Sequence, residues 1–383
     1  MTKIRAMRAT NPDIALLLTI CALLVIGLLA IFSASHVTDG ASKVIRQSLW
    51  AGVGLLGMGF LTYVDYRTWM RSAFFVYGVM LLMLVATLFT HPINGAHSWF
   101  TFHRISIQPS EFAKLVLIIA FATLLVRYGE RLNTPEPFLR SLGFFMLPVG
   151  LVLIQPDFGT AMTMCAIWFF MLWTANVRWW ILGGLCLCAL LLLLVAWQGN
   201  LLKDYQKQRL DFIHADPEGS GYHQRQAYIA IGAGQLWGKG YLHGSQARRG
   251  FLPEQDTDFV FATIGEEFGF LGTLVVLGLF VFLIFRLVRI ADGAETPFGR
   301  LIVIGVAALL ATHVIINIGM CLTLMPVTGV PLPLISYGGS NLLTTLFCLG
   351  IILNVSRYHQ SYRTWAGPED PLLRDPLPAM LNK

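Results

Sequence analysis

Long apolar runs are the feature that most restricts what this chain can fold into. An α-helix needs roughly 20 apolar residues to cross the hydrocarbon core of a membrane. Only helices and closed barrels span that core, because it offers no water to backbone N–H and C=O groups. The chain therefore reads as a series of membrane helices. Ten candidate runs occur, at residues 14–32, 49–64, 73–89, 112–126, 142–154, 160–173, 179–197, 259–285, 301–324 and 341–355.

The composition excludes a soluble globule. Hydrophobic residues make up 56% of the 383 residues and charged residues only 13%, against about 25% in soluble domains. We therefore predict an all-α, polytopic membrane protein. It has about ten transmembrane helices, which form a single integral membrane domain over residues 1–383, and one long extracytoplasmic loop.

The distribution of Lys and Arg predicts the orientation. The termini and the loops on their side hold 16 of these residues, whereas the short loops on the other side hold four. Basic residues concentrate in cytoplasmic loops. We expect a multi-pass protein of the cytoplasmic (inner) membrane with both termini in the cytoplasm. Residues 199–257 then form the extracytoplasmic loop, and residues 365–383 form a cytoplasmic tail.

The formal charge of +6 does not indicate nucleic-acid binding. The basic residues lie mostly at the ends of apolar runs and form no patch. The nine histidines show no metal-ligand spacing, and the cysteines lie inside apolar runs. We expect membrane lipid rather than nucleic acid as the surrounding partner, and no metal held by a His or Cys cluster.

Three charged residues lie within the predicted membrane runs: Lys114, Glu266 and Glu267. A charge at mid-bilayer costs about 2.5–3.5 kcal/mol on insertion scales, so such residues are candidates for function. Lys114 lies three residues after Glu111, which places both on one helix face. The pair belongs either to a partly dry site or to the surface, where it would contribute little.

Three acidic residues, Glu254, Asp256 and Asp258, precede the eighth run. Either Thr257 or Asp258 suits an N-cap. A carboxylate at a helix N-terminus is held ionised by the helix dipole. An ionised aspartate at the membrane surface could act as a general base, so Asp258 is a candidate catalytic residue.

The last outer connection, residues 325–340, contains three prolines and three glycines. Such a segment does not form a plain helix. Non-helical backbone at membrane depth persists only where protein or a wet cavity satisfies its polar groups. We therefore expect this connection to line a cavity.

Four motifs follow one another along the chain: Gly95-Ala96-x-x-Trp99 with Gln108-Pro109-Ser110-Glu111-x-Ala113-Lys114, Gln155-Pro156-Asp157-x-Gly159-Thr160, Leu252-Pro253-Glu254-x-x-Thr257-Asp258-Phe259 and Pro331-Leu332-Pro333-x-x-Ser336-Tyr337-Gly338-Gly339. In this order they resemble the motifs of the SEDS family, and the resemblance covers nearly the whole chain. Four further segments resemble the RodA (elongation) branch more than the FtsW (division) branch: Gly221-Tyr222-His223, Gly238-Lys239-Gly240, Asn317-x-Gly319-Met320 and Val330-Pro331-Leu332-Pro333.

The resemblance implies a peptidoglycan glycosyltransferase that polymerises lipid II into β-1,4 glycan during elongation. It implies that Asp258 is the essential carboxylate, here assigned as general base. It also implies a class B penicillin-binding protein as transpeptidase partner and, more weakly, MreC and MreD. The residues expected to bind substrate are Trp99, Glu111, Lys114, Gln226, Lys239, Arg248, Ser336 and Tyr337.

The leaving pyrophosphate needs positive charge. The outer-side candidates are Lys114, Arg104, Lys239, Arg248 and Arg249. No firmly bound cofactor is expected, although a divalent cation, Mg²⁺ or Mn²⁺, could share the task. Two departures from the family pattern are Asp256, where many relatives have His, and residues 232–235, where many have Gly-Ser-Gly-Gly. A flippase of lipid-linked precursor and a non-catalytic scaffold of the elongation complex remain the alternatives.

Overall fold

The computed structural model describes residues 12–36, 40–91, 98–102, 105–198, 221–245 and 254–365. Several sequence predictions lie outside these residues. They concern Gly95 and Ala96, the basic residues Arg104, Arg248 and Arg249, two stretches of the long loop at 199–220 and 246–253, and the tail from residue 366 onward.

Helices dominate the described part of the chain, and each of the ten apolar runs corresponds to one long helix. Eight of these are long and apolar enough to cross a membrane, while α6 and the Trp179–Cys188 part of α7 are apolar but shorter. The helices are α1 (Ile14–Ser35), α2 (Ser42–Tyr63), α3 (Arg67–Thr87), α4 (Pro109–Tyr128), α5 (Pro135–Ile154), α6 (Phe158–Thr174), α7 (Trp179–Gln198), α8 (Tyr222–Ala233), α9 (Val260–Asp292), α10 (Pro297–Cys321) and α11 (Gly339–Trp365).

The all-α polytopic fold is thus confirmed, with two additions. Helix α8 is a short helix of the long loop between α7 and α9, and it packs on α9 and α10. A small antiparallel hairpin joins α3 to α4. It consists of β1 (Phe100–Phe102) and β2 (Ile105–Ile107), with Thr101 opposite Ser106.

Helices α4, α10 and α11 form the interior of the bundle, since most of their residues are buried. Helices α2 and α3 bury only a minority of their residues, as helices at the lipid-facing surface do. Local signals set the helix starts: Pro109, Pro135 and Pro297 each stand in a first turn, where proline has no N–H to lose.

Helix α9 is broken at Gly269, whose φ of +64° lies in the left-handed region. The continuous apolar run at residues 259–285 did not predict this break. Segment 235–240, which follows α8 in the long loop, supplies partners for the freed backbone groups. Lys239 N donates to Glu266 O at 3.0 Å, Gly240 N donates to Glu267 O at 3.0 Å, and Phe270 N donates to Gln235 O at 2.8 Å. Broken helices persist in membranes only with such replacement partners.

The end of the bundle that contains the α2–α3 turn is called the opposite end, because a polar cleft lies at the other end. Tyr66 is completely buried there. Its N–H donates to Asn354 Oδ1 at 2.9 Å, and Asn354 Nδ2 donates to Thr62 O at 2.8 Å. Its hydroxyl lies 2.9 Å from Thr296 Oγ1 of the α9–α10 turn. The α2–α3 turn, the α9–α10 turn and helix α11 are thereby tied together.

Candidate active site

A polar cleft of about 390 Å³ lies at the other end of the bundle, called the cleft end. Five segments that are far apart in the sequence line it. They are residues 98–99, 108–111, 156–158, 254–258 and 328–341, each of which contributes several or all of its side chains. The described parts of all four motifs therefore meet in one place, and the connection at 325–340 lines a cavity as predicted.

Asp258 lies in a tight turn at residues 254–259 just before α9. The backbone N–H groups of Thr257, Asp258 and Phe259 all point to Glu254 O, at 3.2, 3.1 and 3.2 Å. Glu254 has a φ of +53°, which turns the chain back on itself. The turn directs the Asp258 side chain into the cleft wall.

Burial raises the pKa of Asp258 to about 7, and the neighbouring carboxylates of Glu254 and Asp256 add to this shift. Burial disfavours the charged form of an acid, and nearby negative charges act in the same direction. A carboxyl group whose pKa lies near the working pH is well matched to general-base catalysis.

The predicted role of the helix dipole at Asp258 was wrong. The N-cap of α9 is Phe259, with no side-chain cap, so neither Thr257 nor Asp258 caps the helix. The Thr257 hydroxyl donates instead to Glu254 Oε2 at 2.9 Å. The pKa of Asp258 is raised rather than lowered, because desolvation and the two acidic neighbours outweigh any effect of the dipole.

Glu111 and Lys114 form a buried ion pair, with Lys114 Nζ 2.8 Å from Glu111 Oε1 and the lysine side chain 1% exposed. Asn341 Nδ2 donates to Glu111 Oε2 at 3.0 Å. Lys114 Nζ also lies 3.1 Å from His313 Nε2. The interpretation as a surface pair was therefore wrong. Glu111 lines the cleft, whereas Lys114 lies beneath its wall.

The contacts of His313 define its tautomer. An ammonium group can only donate, so Nε2 accepts from Lys114. Nδ1, which lies 3.2 Å from Pro331 O, then carries the hydrogen and donates to that carbonyl. A neutral histidine thus connects the buried ion pair to the connection between α10 and α11.

Asp157 is a cleft residue that the sequence did not single out. Gln108 Nε2 donates to its Oδ2 at 2.9 Å, and the Ser110 hydroxyl does so at 3.3 Å. Its Oδ1 accepts from Thr160 N at 3.1 Å and so caps α6. The signal was available, since aspartate before a membrane helix is a typical N-cap. Asp157 joins the second and third lining segments.

The remaining predicted site residues fall into three groups. Trp99 and Tyr337 line the cleft with Asp258 and Glu111. Ser336, Lys239 and Gln226 do not line it. Ser336 bonds the backbone of neighbouring segments, and Lys239 Nζ lies 2.7 Å from Glu266 Oε1 near the break in α9. Gln226 lies on α8. Arg248 is outside the described residues.

Within the described ranges, no group of three or more His, Cys, Asp and Glu side chains could hold a metal ion. The divalent cation expected at the pyrophosphate stays a prediction.

The fold and the site together define a class of protein. It is a multi-pass helical membrane protein with a polar cleft at one end of the bundle, and the cleft contains a partly buried aspartate. A family model described as "Cell cycle protein", for FtsW, RodA and SpoVE, matches residues 14–361. The chain belongs to this family, which confirms the resemblance found in the sequence.

Two relatives are similar over nearly their whole length. The probable peptidoglycan glycosyltransferase FtsW of Trichlorobacter lovleyi is 36% identical over 363 residues, which are 91% of this chain and 94% of that protein. The peptidoglycan glycosyltransferase MrdB of Escherichia coli K12 is 36% identical over 356 residues, again 91% of this chain and 94% of that protein. MrdB is a RodA-type protein, so these matches do not separate the RodA branch from the FtsW branch.

A solved structure agrees with the fold. It is titled "Structural coordination of polymerization and crosslinking by a peptidoglycan synthase complex". One of its chains superimposes with a TM-score of 0.79 and 32% identity, covering 91% of this chain and 98% of that chain.

Proposed function

We propose that this protein is a peptidoglycan glycosyltransferase that polymerises lipid II into β-1,4 glycan strands. The observation that carries the proposal is the convergence of four separate motifs on one cleft, with Asp258 in its wall. The names of the relatives support the same activity.

Asp258 acts as the general base. Its carboxylate takes the proton from the 4-hydroxyl of the acceptor sugar as that oxygen attacks the anomeric carbon of the donor. The bond from the anomeric carbon to the lipid pyrophosphate breaks, and the configuration inverts. One carboxylate suffices because the leaving group is already a stable anion, unlike the two carboxylates that glycosidases use.

The leaving pyrophosphate requires positive charge. Among the described residues, no Lys or Arg lines the cleft, and Lys114 lies just beneath its wall. We assign the stabilisation to Lys114 from below and to Arg104, Arg248 and Arg249, which belong to the outer segments. Lys239 pairs with Glu266 and is not among the residues that line the cleft.

The cleft end faces the outside of the cytoplasmic membrane in this proposal. Both termini and the opposite end then lie in the cytoplasm, where the excess of Lys and Arg favours them. The cleft meets lipid II on the outer face. Cysteine labelling from outside distinguishes the two orientations: a Ser220→Cys variant should react and a Ser361→Cys variant should not.

The cellular role that we propose is elongation, in the manner of the RodA branch. A class B penicillin-binding protein would supply the peptide cross-links, with MreC and MreD as further members of the complex. The chain lacks an S-x-x-K motif at Ser110, since Lys114 follows it by four residues. The similar solved structure, whose title names polymerisation and cross-linking together, supports such a pairing.

The test of the activity is polymerisation of purified lipid II by this protein with its transpeptidase partner. Asp258→Asn should reduce the rate by about 10²–10⁴-fold, the usual cost of losing a general base. Asp256→Asn is the matched control and should be milder, because Lys43 already pairs with the Asp256 carboxylate at 2.8 Å. Near wild-type synthesis by Asp258→Asn would favour a flippase or a scaffold.

The regulatory part of the proposal is tested separately. The partner should raise the polymerisation rate even when its own active serine is acylated, because the two sites are then coupled through contact rather than through cross-linking. An unchanged rate upon addition of the partner would remove this part and leave the catalytic part intact.

A further inference from the structure

Three consecutive backbone carbonyls at the catalytic turn are each held by a residue from another part of the chain. Tyr337 N donates to Asp256 O at 2.8 Å. The Ser336 hydroxyl donates to Thr257 O. Asn317 Nδ2 donates to Asp258 O at 2.8 Å. The general base therefore stands on a segment whose position α10 and the α10–α11 connection determine.

Asn317 makes a second hydrogen bond, so that it joins two segments that both contribute to the cleft. The same amide nitrogen donates to Val330 O at 2.9 Å, and Asn317 is completely buried on α10. Asp258 and Gly329 both line the cleft, and Val330 directly follows Gly329. One side chain thus sets the spacing between the two segments.

Ser336 also joins the turn that contains Asp258 to the α10–α11 connection. Its oxygen accepts from Leu332 N at 2.9 Å while its hydroxyl donates to Thr257 O. The side chain is buried and does not line the cleft, so it has no direct route to a substrate. Its two hydrogen bonds are with the backbone of the two segments, at Leu332 N and Thr257 O.

Gly329 shows what the spacing controls. It has a φ of +68°, and a Cβ atom built on it would lie 3.5 Å from Asp258 Oδ2. The carboxylate therefore rests beside the glycine turn. A movement of either segment would change how closely the turn covers the carboxylate.

We propose that Asn317 and Ser336 are positioning residues that hold the carboxylate of Asp258 against the Gly329 turn in its reactive place. Neither would touch the substrate; both act through the backbone. This inference rests on the proposed function, since it takes Asp258 as the general base.

Several titratable groups face this site and belong to any account of its pH response. Glu111, Asp157 and Tyr337 line the cleft with Asp258 and Glu254. Behind the turn, Lys43 pairs with Asp256. Cys321 of α10 lies close to Asp258, and His223 of α8 stacks on the adjacent Phe259.

The experiment compares Asn317→Ala and Ser336→Ala with Asn354→Ala. Asn354 is the matched control, because it is equally buried and also makes two bonds to backbone, but at the opposite end. Each variant is assayed with lipid II across pH. For the first two variants we expect kcat to fall about tenfold or more with KM within about twofold, as misplacement of a reacting group predicts. We also expect the acidic limb of the kcat profile to move to lower pH as water reaches the carboxylate.

The control should lose thermal stability without moving that limb. The proposal is overturned if the Asn317 and Ser336 variants behave as the control does. If Asn317→Ala does not insert into the membrane, Ser336→Ala alone decides, because it removes only a hydroxyl group.

A second readout does not depend on activity. The pH dependence of thermal unfolding is measured for each variant with and without Asp258→Asn, and the difference reports the ionisation of Asp258. An Asp258→Asn protein that still polymerises would contradict the proposed function, yet this readout would still show whether Asn317 and Ser336 control the carboxyl group. No change in it would contradict the positioning role alone.

Discussion

The two ends of the bundle contain the same kind of buried asparagine and use it differently. At the opposite end, Asn354 both donates to Thr62 O and accepts from Tyr66 N, so its polar atoms close a turn. At the cleft end, Asn317 donates to Asp258 O and Val330 O. Its bonds hold two segments side by side with a cleft next to them.

The neighbouring charges differ in the same way. At the opposite end, Arg67 pairs with Glu295 and also lies over the ring of Tyr66. At the cleft end the backbone of Asp258 is held, but no described residue donates a hydrogen bond to its carboxylate. Paired side chains at the opposite end suit a structural junction, whereas a fixed backbone that holds a carboxylate with no described donor suits a site for chemistry.

The largest expected effect distinguishes two ion pairs, Glu111–Lys114 at the cleft end and Arg67–Glu295 at the opposite end. Lys114→Met leaves the buried Glu111 without its cation and should cost about 3–5 kcal/mol of unfolding free energy. Glu295→Gln at the opposite end should cost about 1 kcal/mol or less, because its partner Arg67 is 38% exposed in its side chain. Unfolding in detergent measures both.

The double variant Glu111→Gln/Lys114→Met is the control for the first of these. It should recover much of the lost stability, since no unpaired buried charge is left. Equal losses of unfolding free energy in Lys114→Met and Glu295→Gln would show that the difference in burial does not make the two ion pairs differ in stability.

The second prediction uses the raised pKa of Asp258. Because the carboxylate must be ionised to accept a proton, the polymerisation rate should fall about tenfold per pH unit below pH 7. The profile is measured with purified lipid II at constant ionic strength. A rate that stays constant from pH 5 to 8 would contradict the raised pKa of Asp258 as the feature that distinguishes the cleft end from the opposite end.

The same shift predicts the stability of Asp258→Asn. The folded protein binds this proton more tightly than the unfolded chain, whose pKa is 3.8. The stability that the protonated carboxyl gives is therefore complete below about pH 4 and is lost as pH rises to about 7. Asp258→Asn should gain in thermal stability relative to wild type over this range, with the largest gain above pH 7.

The third prediction introduces the same clash at both ends. A Cβ at Gly159 would lie 2.6 Å from Thr328 O, and a Cβ at Gly350 would lie 2.7 Å from Met58 O. Each change to Ala should cost about 1–3 kcal/mol of stability, as overpacking does. Only Gly159→Ala should also lower kcat, because it displaces the turn beside Asp258. Similar kcat losses for both variants would argue against a local effect.

The smallest effect concerns the electrostatics of the cleft end. Glu254→Gln keeps an acceptor for the Thr257 hydroxyl but removes a negative charge near Asp258, so the pKa of Asp258 should fall. The acidic limb of the rate profile should move to lower pH by less than about one unit. Glu136→Gln, on the exposed start of α5, is the control and should leave the limb in place.

Several parts of the site could be predicted from the sequence and others could not. Asp258, Trp99, Glu111 and Tyr337 were predicted and line the cleft. Lys239 was also predicted to bind substrate, and this stays a prediction: it does not line the cleft, and its ammonium group pairs with Glu266. The sequence could not predict this ion pair, because Lys239 and Glu266 are far apart in the chain and only the fold brings them together.

The sequence by itself determined where the chain crosses the membrane, because the cost of placing polar groups in hydrocarbon is local and each run of apolar residues reports it. The four motifs that contribute to the cleft were also recognisable in the sequence. Only the tertiary structure decided the break in α9 at Gly269, the burial of Lys114 and the raised pKa of Asp258. These depend on groups from distant segments that meet at one end of the bundle, and desolvation and hydrogen bonding are set by that meeting rather than by neighbours in the chain.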